Sequence, residues 1–138
     1  MKSFLLLLML VNSSALFAEE MTPAENCIAG DSGVGSVECL KKIYKALNQE
    51  LDQLNQAVFS SLEERNRKDT ITVIHYDYAL LAFKRSVLDF KLYRESGCNT
   101  FTYYSGGVAS GYQQQLYKCL ISQTEVHNQF LKKILELK

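Results

Sequence analysis

Four cysteines, Cys27, Cys39, Cys98 and Cys119, follow an opening with the grammar of an export signal, and no other feature constrains the fold as much. Lys2 supplies a positive charge, residues 4–11 form an unbroken apolar run, and residues 12–18 make a polar exit of mostly small residues before Glu19 and Glu20. The run is too short and wrongly flanked for a membrane span, so residues 1–18 read as a signal peptide cleaved near Ala18. Glu19, not cysteine, stands directly after that cut, which argues against a lipoprotein. An even number of cysteines in an exported chain reads as a disulfide framework, not as a metal site or a redox pair. The expected location is periplasmic or secreted.

Residues 19–138 are enough for one small domain, with a modest core to which staples add useful stability. Charge is balanced, 15 basic against 15 acidic side chains, so the basic face needed for nucleic acid is missing. No second apolar run is long enough to span a bilayer. One proline and seven glycines leave little room for the many turns of a β-sandwich.

Hydrophobic spacing predicts three long helices. With Ser36 as N-cap, Leu40, Tyr44, Leu47, Leu51, Leu54 and Val58 step by 4, 3, 4, 3 and 4, a sustained heptad stripe. The charged run 63–69 then reads as a solvated turn. A second helix is expected from Asp69 or Thr70 to Ser96, with Gly97 as its stop. It carries two stripes, one of Ile71, Ile74, Tyr78, Leu81, Leu88 and Leu92, the other of Val73, Tyr76, Leu80, Phe83, Val87 and Phe90. So wide an apolar arc implies burial on two sides, or a partner face on one of them. A third helix runs from Gly111 or Tyr112 to the C-terminus, with Leu116, Cys119, Val126, Phe130, Ile134 and Leu137 on one face.

Rods of similar length, joined by one tight turn and one longer loop, predict an all-α fold, an antiparallel three-helix bundle. In such a bundle Cys39, Cys98 and Cys119 fall at the same end, and Cys27 in the Gly-rich lead-in can reach it. Spacing favours Cys27–Cys39 and Cys98–Cys119, although four cysteines allow three connectivities. The fold is thus expected to be stapled by two disulfides at one end.

Between the second and third helices the chain reads Phe90-Lys91-Leu92-Tyr93-Arg94-Glu95-Ser96-Gly97-Cys98, then Ser105-Gly106-Gly107, then Cys119 with Thr124 five residues on and Leu131 beyond. This pattern resembles the LprI-like family of small exported bacterial proteins, named for a lysozyme inhibitor. Leu51-Asp52-Gln53-Leu54-Asn55 is similar to the family's first helix, and the likeness covers residues 27–131. Val87, Phe90 and His127 stand where the family usually shows Gln, Trp and Arg. The resemblance implies a stapled helical bundle in which Tyr93, Arg94, Glu95 and Thr124 form a structural motif. It also implies inhibition of a lysozyme-type muramidase.

On the residues themselves, Arg94 near a helix C-terminus suits the dipole and is expected to fix the following loop by bonding its carbonyls. The stretch from Cys98 to Cys119 holds Phe101, Tyr103, Tyr104 and Tyr112 among serines and glycines, the composition of a recognition loop. These four aromatics are the candidate partner-binding residues, with capping of the bundle end as the plainer alternative. The glycines lack the Gly-Lys-Ser/Thr ending of a phosphate loop. His75 and His127 lie on different predicted helices without ligand spacing, no Cys-x-x-Cys occurs, and no nucleophile elbow is present. No catalytic residue, metal or cofactor is therefore expected. The chain reads as a stoichiometric protein-binding module, with a lysozyme as the family-suggested partner. The alternative is an immunity or envelope assembly protein that uses an apolar helix face.

Overall fold

The computed structural model describes residues 21–30, 33–107 and 109–137, and the predicted signal peptide lies outside them. Among the described residues there are four helices and no strand: α1 (Pro23–Ala29), α2 (Gly33–Arg67), α3 (Val73–Ser105) and α4 (Ala109–Glu136). The all-α expectation holds. The three long helices have a short companion, α1, in what the sequence presented as a Gly-rich lead-in.

A capping box builds α1. The Glu25 N–H donates to Thr22 Oγ1 at 3.3 Å, and the Glu25 carboxylate accepts from the Thr22 N–H at 2.7 Å. Pro23 occupies the first helical position, where a missing N–H costs nothing.

The boundaries of the long helices differ from expectation in physically informative ways. The charged run 63–69 is not a turn, because Glu, Arg and Lys are good helix formers and Lys68 pairs with Glu64 one turn away. The helix continues to Arg67 and closes on Asp69 at φ 52°. There the Thr70 N–H reaches the Arg65 carbonyl at 3.0 Å and the Asp69 N–H reaches the Asn66 carbonyl at 3.1 Å, an αL cap with aspartate where glycine is usual. The next helix begins at Val73, later than expected, with Thr72 accepting from the His75 N–H.

Nor does Gly97 stop a helix. Three side chains around and beyond it bond back to carbonyls of the preceding turn: Asn99 to Glu95, Thr102 to Cys98 and Ser105 to Phe101. The turn falls instead at Gly106 and Gly107, whose φ values of 69° and 127° suit glycine. The expected loop between Cys98 and Cys119 is therefore mostly helix, with only residues 106–108 connecting α3 to α4.

Both expected disulfides, Cys27–Cys39 and Cys98–Cys119, are present. The Gln114 side-chain amide donates to Ser36 Oγ at 2.6 Å, and Asn128 and Lys132 both reach Glu50. Hence α2 and α4 run parallel with α3 antiparallel to both, and the staples sit where α2 and α4 begin. The α2–α4 contact is the most extensive, and α3 lies on the pair more thinly.

Two apolar clusters form the core. Cys27, Leu40 and Ile121 anchor the one at the stapled end, and Leu51, Val58, Phe83 and Leu131 anchor the other. The stripe expected on α2 faces this core. That expected on α4 does so only in part: Leu116, Cys119 and Ile134 are half-buried, with Ile134 against the core, but Val126, Phe130 and Leu137 are exposed, and Leu120, Ile121, Thr124, Asn128 and Leu131 are buried. Two polar residues in the buried row displaced the apolar reading onto the neighbouring row. On α3, only the Phe83 side is packed, so burial on two sides is not what the chain achieves.

Candidate functional site

Between the two apolar clusters lies a polar layer centred on Arg94. Its side chain is 4% exposed, in the interior of α3 and far from a helix end. The expected bonds to loop carbonyls are replaced by bonds to neighbouring helices. Nη1 donates to Asn48 Oδ1 on α2 and to Thr124 Oγ1 on α4, both at 2.9 Å. The guanidinium carbon lies 5.3 Å from the Tyr44 ring centre and 5.2 Å from that of Phe90, within cation–π range. Asn128 extends the layer, donating to the Leu47 carbonyl at 3.2 Å and to Glu50 at 2.9 Å. The amide of Asn128 and the ion pair with Lys132 hold the Glu50 carboxyl below its ordinary pKa, the lysine bond being the larger cause.

Of the motif residues, Arg94 and Thr124 thus meet directly, and Tyr93 and Glu95 point to solvent. Sequence reasoning missed Asn48 and Asn128. Their signal was a polar residue at a position where the helical period calls for core.

His127 lies flat on Phe90, with ring centres 3.7 Å apart and planes 8° from parallel. Burial first, then the nearby Arg94 charge, lowers its pKa below the ordinary histidine value. The folded state therefore disfavours a proton that the unfolded chain accepts near pH 6.5. Its contribution to stability is complete above that pH and is lost as pH falls below it. The melting temperature is expected to drop between pH 7.5 and 5.5, and His127→Gln is expected to flatten that slope. Thermal unfolding followed by circular dichroism across the range checks both.

The candidate partner-binding aromatics cluster at the stapled end, on helices and not on a loop. Phe101, Tyr103 and Tyr104 occupy the last turns of α3, and Tyr112 the first turn of α4. Tyr103 and Tyr112 come together with ring centres 5.0 Å apart, and the Tyr112 hydroxyl donates to Asn99 Oδ1 at 3.3 Å. These two rings line an open groove of about 520 Å³ with Thr102, Gly106, Gly107, Ala109 and Gln113. Phe101 stands on another side of the helix, beside a smaller hollow bordered by Arg94 and the Cys98–Cys119 bridge. Tyr104 projects alone, 93% exposed. The bridge, one turn below these rings, ties their helix to α4.

Among the described residues, no group of three or more His, Cys, Asp or Glu side chains could hold a metal ion, and no cysteine is free. No helix among them is long and apolar enough to cross a membrane.

Compared with known protein families, curated proteins and solved structures, the chain matches none.

Proposed function

We propose that this chain is an exported, non-enzymatic protein-binding module of the LprI-like kind, a three-helix bundle in its essentials. It engages its partner through the aromatic end, and the resemblance names a lysozyme-type muramidase as that partner. The supporting observation is the exposure of Tyr103 and Tyr104, 73% and 93%, on a helix end tied down by a disulfide. Large rings held out on a preorganised backbone lose little entropy on binding and are the usual anchors of recognition surfaces. Inhibition would be stoichiometric, the aromatic end occluding the enzyme's substrate cleft.

The test is lysis of peptidoglycan by a lysozyme with and without equimolar oxidised protein. Slowed lysis is expected, with inhibition weakened roughly tenfold or more in Tyr103→Ala/Tyr104→Ala, the loss typical of anchor residues. Undiminished inhibition by the variant would move the site elsewhere, and no inhibition at large excess would remove the lysozyme reading. A second reading, the immunity or envelope assembly protein, draws support from the solvent-facing apolar stripe of α3.

A further inference from the structure

Opposite its packed side, α3 presents Ile74, Tyr78, Leu81, Leu88 and Leu92, each between 65% and 71% exposed. With Arg85 they step by 4, 3, 4, 3 and 4 residues, the spacing of a coiled-coil seam. The seam is about 27 Å long at 1.5 Å per residue. Five large side chains about two-thirds exposed offer on the order of 600 Å² of apolar surface, at the upper end for a monomer and near the ~800 Å² per partner of a standard interface.

The seam's own order selects its occupant. Its steps read the same from either end, so a reversed second copy meets it at every level: Ile74 against Leu92, Tyr78 against Leu88, Leu81 against Arg85. In that register Asp77 falls beside Lys91 of the second copy on one flank, and His75 beside Asp89 on the other. The two-fold axis repeats each pair. Across the axis Lys84 meets its own copy on the first flank and Ala82 on the second. A parallel copy would instead bury Arg85 against Arg85.

We propose that the outer face of α3 is the interface of an antiparallel homodimer, with Asp77 and Lys91 pairing across it. This narrows the apolar-face reading to one occupant, a second copy, and is independent of the aromatic end. Arg85 already has an intrahelical partner in Asp89, at 3.5 Å, and its long stem can cover Leu81 while the charge stays in water.

Sedimentation equilibrium of the oxidised protein, from low to high micromolar concentration, is expected to show a reversible monomer–dimer equilibrium. Leu88→Glu sets a carboxylate against Tyr78 and is expected to give a monomer with unchanged helicity, melting as the parent does at concentrations where the parent is monomeric, since Leu88 lies outside the core. Asp77→Lys and Lys91→Asp, each alone, place like charges together and are expected to weaken the dimer about three- to tenfold. The two combined are expected to restore it. A monomer at every concentration, or a dimer indifferent to Leu88→Glu, would overturn the proposal. Failure of the combined variant to recover would overturn the antiparallel register. Lysozyme inhibition by a strictly monomeric protein would leave the aromatic-end reading standing.

Discussion

Arg94→Ala is expected to destabilise the protein by about 3 kcal/mol, seen as a lower urea midpoint with an unchanged slope. The substitution removes both bonds from Nη1, leaving Asn48 Oδ1 without its donor. It also removes the cation from between Tyr44 and Phe90 and empties the volume that joins the two apolar clusters. Thr124 is less affected, because its hydroxyl also donates to the Leu120 carbonyl. Against these losses stands the desolvation of a buried charge, which alanine relieves. Arg94→Met separates the contributions, keeping most of the stem's volume without charge or donors. It is expected to lose about 1–2 kcal/mol. A methionine variant as stable as the parent would show that the charge and its two bonds add no net stability.

Removing the bridge at the aromatic end should have a comparable effect by another route. The cysteines of Cys98–Cys119 are 21 residues apart, and opening such a loop in the unfolded chain costs roughly 3 kcal/mol of stability. Cys98→Ala/Cys119→Ala is expected to melt about 10–15 °C lower at a few degrees per kcal/mol for a domain this size. Alanine avoids leaving a hydroxyl at Cys98, which is 1% exposed. The last turns of α3 should suffer first, so amide exchange is expected to quicken from Gly97 to Ser105 before it does in the middle of the helix. Opening Cys27–Cys39, 12 residues apart, is expected to release α1. A helix of seven residues has no stability of its own in water.

Much of this architecture was readable wherever the helical period was written in apolar residues. The α2 stripe and the favoured disulfide pairing both appear in the structure. Misreadings arose where polar residues took core positions or where punctuation was taken literally. Thr124 and Asn128 occupy the buried row of α4, so the apolar period pointed to Val126 and Phe130 on the exposed side instead. Gly97 looked like a stop, yet it sits exposed in a helix whose next residue is bridged to α4. That tether outweighs the roughly 1 kcal/mol that a glycine costs within a helix. The Thr22-Pro23-Ala24-Glu25 signature of α1 was in plain view, but the glycines after it suggested only a lead-in. For the candidate site, the sequence set the four aromatics in a loop, and the structure places them on the ends of α3 and α4. The sequence grouped Arg94 with Thr124 but not with Asn48, because Asn48 lies 46 residues away and only the packing of three helices brings it in.

Placing both bridges where α2 and α4 begin also decides how the molecule would respond to tension. A chain pulled from its two termini cannot pay out the segments enclosed by its bridges. The separations of 12 and 21 residues together withhold roughly 110 Å of extended chain at about 3.4 Å per residue. The α2–α3 hairpin has no such lock and would yield first, leaving two separate closed loops that open only when the bridges are reduced.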